Sequence, residues 1–143
     1  MVTFRRLKQA DIPEMLRLWK ESGLPISPKA REAPRALRVE MRRNPGGFIG
    51  AVDVEEIVGV VLATSDGRKG YVNRLAVAAS YRRKGLGMKL IRKAERELGS
   101  RGIRIVTALI EDDNEASLAM FEKAGYAIRK DIIYVRKELV KDA

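Results

Sequence analysis

Apolar residues recur at helical spacing in four stretches of the chain, which predicts four amphipathic helices. The first covers residues 12–22, and the second covers residues 29–43, where Pro34 favours a helix only in the later half. The third spans residues 85–98 and the fourth residues 114–125. One face of the third helix is apolar throughout and is formed by Leu86, Leu90, Ile91, Ala94 and Leu98.

β-branched and aromatic residues are concentrated between these helices, which predicts strands there. The second, third and fourth strands follow one another with only turns between them, and this run of consecutive strands favours antiparallel pairing. A helix separates the fourth strand from the fifth, which favours parallel pairing of those two. The pattern therefore indicates an α+β domain with a mixed sheet. The predicted strands are residues 2–7, 48–54, 57–64, 71–77 and 103–110, followed by a final hairpin within residues 126–139.

The junction between the fourth strand and the third helix has the chemistry of a phosphate-binding turn. Three consecutive basic residues, Arg82 to Lys84, precede Gly85 and Gly87, and the helix begins at once. Glycines allow a ligand to approach the backbone, and the start of a helix offers unpaired N–H groups at a positive dipole end. Neither a P-loop nor a dinucleotide-binding fingerprint occurs here. The turn is therefore predicted to hold a pyrophosphate by another motif.

Composition narrows the possible chemistry. The chain has 143 residues, enough for one domain with a sizeable core, and we expect residues 1–143 to form a single domain. It contains no cysteine and no histidine, so disulfides, Cys/His zinc sites and a Cys or His nucleophile or base are excluded, and no metal is expected. No signal peptide or membrane-spanning apolar run is evident, and we expect a cytoplasmic protein.

The formal charge of +10 permits three interpretations. It can belong to a solvated surface, because charges alternate in sign along the helices, or to a pocket for a polyanionic cofactor. Nucleic-acid binding is the third, but the basic residues lack interleaved aromatic residues and no helix-turn-helix or RNP signature is present. Nucleic acid and membrane are therefore not expected as partners.

Two motifs, in order, carry a resemblance to a known family. Arg82, Gly85 and Gly87 form an R-x-x-G-x-G string, and residues 114–126 read NEASLAMFEKAGY. Both resemble segments of the GNAT (GCN5-related) N-acetyltransferases, and other stretches resemble the small YpeA-like members. The resemblance implies the acyl-CoA N-acyltransferase fold, with a largely antiparallel central sheet of six to seven strands, splayed between strands 4 and 5 and flanked by about four helices.

The resemblance also implies acetyl-CoA (coenzyme A) as cofactor, lying in the opening between the splayed strands. Asn114 has a second interpretation as a helix N-cap, and one residue can serve both roles. By resemblance, the cofactor-binding residues are Leu75, Ala76, Val77, Arg82, Arg83, Lys84, Gly85, Leu86, Gly87, Met88, Asn114, Ser117 and Phe121.

The usual catalytic side chains of the family are missing. Asn73 stands where many members have a glutamate base, and Phe121 stands where many have a tyrosine acid. Glu111 is the nearest carboxylate on the fifth strand, but a solvated strand end explains it better, and we favour proton loss to water. The tyrosines at 71, 81, 126 and 134 provide no clear replacement acid, so the catalytic residues stay unassigned.

Family members place the first two helices and their connector against the acceptor. This implies an acceptor pocket formed by Trp19, Leu24, Ile26, Arg35 and Asn73. Trp19 is better explained as a core residue, whereas Leu24 and Ile26 are equally well explained as residues that simply close the connector. The acceptor amine, whether a protein N-terminus, a lysine or a small molecule, is not identified by these residues.

Three functions follow. The first is an acetyl-CoA-dependent N-acetyltransferase (an acyltransferase of the EC 2.3.1 type), which acts on an amine by direct attack in a ternary complex, as a monomer or homodimer. The second is a catalytically weak acyl-CoA-binding module with a regulatory or interaction role, motivated by Phe121 and Asn73. The third, nucleic-acid association, rests on net charge alone.

Overall fold

The computed structural model describes residues 1–143 and contains one five-stranded sheet with strand order β1-β2-β3-β4-β5. Neighbours from β1 to β4 are antiparallel, and β4 pairs with β5 in parallel, as predicted. The strands are β1 (Val2–Arg6), β2 (Phe48–Asp53), β3 (Glu56–Ser65), β4 (Gly70–Val77) and β5 (Val106–Thr107).

Four α-helices flank the sheet: α1 (Ile12–Glu21), α2 (Pro34–Arg43), α3 (Leu86–Ser100) and α4 (Glu115–Lys123). The second helix begins at Pro34 rather than near residue 29, because proline is well tolerated in a first turn but not farther inside a helix. None of the helices is long and apolar enough to cross a membrane.

The sheet separates two apolar clusters. On one face α3 packs with its predicted apolar stripe, and Leu90, Ile91, Ala94 and Leu98 are fully buried. On the other face α1 and α2 cover a cluster centred on Trp19 and Phe48. We call these the α3 face and the α1/α2 face. Successive strand side chains alternate between them, so β3 supplies both cores.

Gly59 shows why α3 lies so close to the sheet. A Cβ atom at this position would stand 2.9 Å from the Leu90 side chain and 3.3 Å from that of Ala51. The register between β2 and β3 also shifts between Ala51 and Val52, one residue from the Ala51–Gly59 pair. A glycine within a strand can mark a close approach of a neighbouring element or a bulge in the strand, and both are found at Gly59.

The end of the chain differs from the prediction. The sheet has five strands rather than six to seven, β5 covers two residues of the predicted 103–110, and no hairpin forms within residues 126–139. We call residues 127–143 the C-terminal segment; no backbone–backbone hydrogen bond involves it. Four of its apolar residues, Ile132 to Val135, stand in a run rather than alternating with polar ones, so this part has no single apolar face.

Candidate functional site

Strand β4 loses its neighbour halfway along. It pairs with β5 only at Gly70 and Tyr71, because β5 itself ends at Thr107. One edge of the later part of β4 is therefore free of a strand partner, as the predicted splay between strands 4 and 5 requires. The residues along this free edge include Leu75, Ala76 and Val77, of which Leu75 and Val77 are half-buried.

A bulge lies in the same part of β4. The register runs from Leu62 opposite Asn73 to Val60 opposite Ala76, so two residues of β4 face one of β3. Arg74 occupies the bulge with φ of 55°, a left-handed conformation that is unusual for a residue with a Cβ atom. Asn73 and Arg74 consequently both direct their side chains to the α1/α2 face, where Asn73 bonds Thr64 and Arg74 covers Trp19.

The turn between β4 and α3 presents a run of free backbone donors. Arg83 and Gly85 have φ of 63° and 81°, and this curls the chain just before the helix. Every backbone N–H from Arg83 to Met88 lacks an acceptor within the protein, and the first helical bond runs from Lys89 to Gly85. Successive N–H groups in such a turn make a concave anion site at a helix N-terminus. The turn thus has the geometry that the predicted phosphate seat requires.

Basic side chains surround this seat, but they are not equivalent. Arg82 donates from Nε to the carbonyl of Val77 at 3.1 Å, so it also ties the turn to the end of β4. Lys84 lies over the ring of Tyr81 at 5.3 Å. The hydroxyl of Tyr81 donates to Asp53, which lowers the pKa of that carboxyl and raises the pKa of the tyrosine. Arg83 and Lys84 are exposed and have no carboxylate partner.

The two glycines of the motif have different structural roles. Gly85 needs its left-handed φ, and a Cβ there would meet nothing within 4 Å. Gly87 instead lies against α4, where a Cβ would stand 2.6 Å from Sδ of Met120. Because that methionine side chain is flexible, a methyl group is tolerated at Gly87, whereas a long side chain must point into the phosphate seat or displace α4.

Helix α4 begins with the predicted cap. Asn114 Oδ1 accepts a hydrogen bond from the N–H of Ser117 at 3.2 Å, so the capping role of Asn114 is confirmed. Phe121 is 6 % exposed and meets Tyr126 edge to face, with ring centroids 5.0 Å apart. Phe121 is therefore a core residue of the α3 face.

The tyrosine hydroxyls are engaged or face elsewhere. Tyr71 donates to Asp66 and Tyr81 to Asp53. The hydroxyl of Tyr126 is buried without a hydrogen-bond partner, and burial, assisted by the Glu95 carboxylate on α3, raises the pKa of Tyr126 far above its usual range. Tyr134 is 65 % exposed on the C-terminal segment. No hydrogen bond joins a tyrosine hydroxyl to the free edge of β4.

The α1/α2 face holds buried charge that the sequence did not reveal. The Arg74 guanidinium lies 4.7 Å from the centre of the Trp19 ring and donates to the carbonyl of Pro25 at 2.6 Å. Glu32, 7 % exposed, lies 3.4 Å from Arg74 and accepts from the N–H of Ser27. Burial lowers the pKa of Arg74, and the Glu32 charge opposes that shift.

The other residues predicted for the acceptor pocket differ in how deeply they are buried. Trp19 is fully buried and donates from its indole N–H to the carbonyl of Arg74 at 3.0 Å, which supports the core interpretation. Leu24 and Ile26 are half-buried against the same cluster and close the connector. Arg35 is exposed on α2. Sequence reasoning missed Glu32 and Glu40, since a carboxylate within a polar stretch carries no periodic signal.

Comparison with known proteins agrees with this geometry. A model of the acetyltransferase (GNAT) family matches residues 10–126. An acetyltransferase of Sodalis glossinidius is 28 % identical over 140 residues, which cover 96 % of each chain.

Two solved structures share the fold. The PaiA N-acetyltransferase of Thermoplasma acidophilum, in complex with coenzyme A, has a TM-score of 0.80 at 19 % identity and is aligned over 90 % of this chain and 91 % of its own. The second is AAC(6')-Iy, in complex with the bisubstrate analogue CoA-S-monomethyl-acetylneamine. It has a TM-score of 0.78 at 18 % identity and is aligned over 96 % of this chain and 99 % of its own. With most of its length matched by the family model, this chain belongs to the GNAT acetyltransferase family, whose acyl donor is acetyl-CoA.

Proposed function

We propose that this protein transfers the acetyl group of acetyl-CoA to an amine by direct attack within a ternary complex. The observation that carries the proposal is the run of free N–H groups from Arg83 to Met88, placed directly beside the unpaired edge of β4. One feature is suited to a pyrophosphate and the other to an extended amide chain, and coenzyme A contains both in that order.

The residues fit the donor in the following way. The N–H groups of Gly85, Leu86, Gly87 and Met88 bind the pyrophosphate, and Arg83 and Lys84 add positive charge. Leu75 and Val77 bond the pantetheine arm as an added strand would, with Ala76 between them. Arg82 contributes charge and holds the turn against β4. Asn114, Ser117 and Phe121 line the far wall through the start and core face of α4.

The donor supplies a thioester carbonyl, and the chain provides the setting for attack on it. A backbone N–H on β4 near Val77 polarises the carbonyl oxygen, as an oxyanion site does. The amine nitrogen forms the new bond to the carbonyl carbon, the carbon–sulfur bond breaks, and sulfur leaves with the electron pair. The amine loses its proton to water and the thiolate is protonated from solvent, because Asn73 and Phe121 replace the glutamate and the tyrosine that are usual in the family.

An assay of thiol release tests this directly. Acetyl-CoA is incubated with a panel of amines, from peptides with free N-termini to diamines and amino sugars, and thiol appearance is followed. We expect at least one amine to raise the rate well above hydrolysis. Release that no amine accelerates would contradict transfer to nitrogen.

A second function, a CoA-binding module without turnover, is favoured by one observation. Phe121 and Asn73 replace the usual acid and base, and Phe121 is committed to the core. Binding of acetyl-CoA in the absence of any amine-dependent release across the panel would select this function. In either case we expect a cytoplasmic single-domain protein that is monomeric or homodimeric.

A further inference from the structure

A basic cavity lies beside the second half of α3. Its volume is about 340 Å³, and it opens between α3, the end of β1 and the start of β2. Five charged side chains line it: Arg5, Arg6, Lys93, Arg96 and Glu97. Four of the five are cations, so the cavity is a candidate site for an anion.

The carboxylates near the cavity do not neutralise it. Asp11 pairs with Arg5 and accepts from both terminal nitrogens of the guanidinium, at 2.8 and 3.0 Å. Glu97 is held by Arg101, whose Nε donates to Oε2 at 2.9 Å. Arg6 approaches Glu97 to 3.5 Å, but the Arg6 side chain is 74 % exposed. Two arginines thus share the one carboxylate of the lining, and one of them is held only weakly.

Lys93 and Arg96 have no carboxylate partner. They are three residues apart on α3 and are therefore neighbours on its surface, where like charges repel. With Arg6 from β1 they bring three positive charges to one cavity. This surplus is not changed by Asp11 and Arg101, because the charge of one cancels that of the other. An anion bound here would relieve the repulsion and stabilise the folded chain.

The turn before β2 is shaped around these side chains. Gly46 has φ of 83°, and a Cβ atom there would stand 2.9 Å from Oε1 of Glu97 and 3.2 Å from Cζ of Arg6. Both side chains therefore lie directly against the backbone of this turn, as only glycine permits. Phe4 is one of the two apolar residues of the lining, and Nζ of Lys93 lies 5.4 Å from its ring centre. A wall of charge and apolar surface suits an anionic group attached to a carbon skeleton.

The cavity is separate from the proposed donor site. A Cβ atom at Gly87 would meet α4, and Arg92 donates to the carbonyl of the residue that caps α4. Lys93 instead reaches Phe4 of β1, the strand at the opposite end of the sheet from β5. At about 1.5 Å per residue, Arg96 lies roughly 14 Å along the helix from Gly87. A ligand in the cavity therefore leaves the turn before α3 free for acetyl-CoA.

We propose that this cavity binds the phosphate group of a small organic phosphate, with Arg6, Lys93 and Arg96 as its cationic partners. A phosphate monoester carries a charge of about −1.5 to −2 at neutral pH and offers oxygens that a guanidinium can bond in pairs. It therefore matches the surplus better than a single carboxylate does. A small molecule fits better than a nucleic acid, because the cations converge on one cavity and the one exposed aromatic side chain, Tyr134, lies in the C-terminal segment. This site goes beyond the proposed transfer reaction.

Calorimetric titration with AMP and with adenosine tests the proposal, because the two compounds differ by one phosphate group. The intact protein is first saturated with acetyl-CoA, which fills the donor site. We expect AMP to bind and adenosine to bind at least about tenfold more weakly, since adenosine lacks the charge-assisted contacts. Lys93→Ala and Arg6→Ala should each raise the Kd for AMP by roughly three- to tenfold. Arg42→Ala, at an exposed arginine of α2, is the matched control and should change the Kd little.

The other outcomes overturn the proposal. These are an absence of AMP binding, equal binding of AMP and adenosine, and AMP binding that neither Lys93→Ala nor Arg6→Ala weakens in proteins whose melting curves show them folded. An oligoadenylate that binds more tightly than AMP, and that both variants weaken, would assign the surface to a polymer instead of a small molecule. If acetyl-CoA itself does not bind, the proposed function is overturned, and the dependence of AMP binding on Lys93 and Arg6 still decides whether the cavity binds phosphate.

Discussion

The polar groups on the two faces of the sheet come from different parts of the chain, from the backbone on one face and from side chains on the other. On the α3 face the proposed donor site consists of backbone: the free N–H groups of one turn and the unpaired edge of one strand. On the α1/α2 face the buried and half-buried charged groups are side chains, among them Arg74 of β4, Glu32 of the connector before α2, and Glu40 of α2. A backbone site needs only a short local motif, whereas a side-chain site needs the whole fold.

This difference explains which parts could be predicted. The apolar stripe of α3, the Asn114 cap and the glycine turn are all local, and each was predicted from neighbouring residues. Trp19 and Arg74 are 55 residues apart, and no periodicity indicates that they meet. The prediction of a final hairpin is wrong for a related reason. Local β propensity was present in residues 132–135, but a strand also needs an edge, and β5 stops at Thr107.

The largest expected effect lies on the α1/α2 face. Trp19→Ala should lower the free energy of unfolding by about 3–5 kcal/mol, because it leaves a cavity in a fully buried core and removes the bond to the Arg74 carbonyl. Urea unfolding measures the loss, and Trp19→Phe should lose clearly less. Acetyl-CoA affinity of the folded protein should be retained. A loss of acetyl-CoA affinity in a Trp19→Ala protein that is fully folded would mean that the two faces are coupled.

Arg74→Ala should lower the free energy of unfolding by about 2 kcal/mol, because it leaves the buried Glu32 without its cation. The effect is smaller than for Trp19 since two guanidinium nitrogens of Arg74 are themselves buried without hydrogen-bond partners. Adding Glu32→Gln to Arg74→Ala should restore part of the lost free energy of unfolding, as measured by urea unfolding of the single and the double variant. A double variant that is less stable than the single one contradicts this pairing.

On the α3 face, Arg82→Ala should weaken acetyl-CoA binding by roughly three- to tenfold, because one charge near the phosphates and the tie to the Val77 carbonyl are lost. Arg96→Ala removes the same charge from an exposed position on α3 and should change affinity much less. Calorimetry at two salt concentrations measures both. Equal weakening in the two variants would indicate a general field effect instead of a local contact.

Glu40→Gln should make the protein slightly more stable at neutral pH. Burial raises the pKa of Glu40 on folding, so the folded state holds a proton more firmly, and stability falls as pH rises from the unfolded pKa through the folded one. The gain from the variant should therefore shrink as pH falls from the folded pKa towards the ordinary pKa of a glutamate, and it should be absent below about 4.5. Thermal melts across pH measure it, and a gain that grows in acid has the wrong sign.

Glu111→Gln should have the smallest effect, with a rate of amine acetylation nearly unchanged. Glu111 is exposed beyond the short β5, where a carboxylate is solvated and no proton transfer at the free edge of β4 depends on it. The pH profile of kcat/KM for the best amine of the panel should be superimposable on that of wild type. A lost ascending limb would identify Glu111 as the base.

The central claim is that the turn before α3 seats the pyrophosphate of acetyl-CoA on its backbone. Calorimetric titration of acetyl-CoA into wild type, Gly87→Ala and Gly87→Glu tests it most directly. Gly87→Ala keeps the N–H and only shifts the Met120 side chain, so affinity should stay within about threefold of wild type. Gly87→Glu places a carboxylate at the seat and should weaken binding by more than about a hundredfold, with melting curves confirming a folded protein. Binding by Gly87→Glu at wild-type affinity would contradict the account.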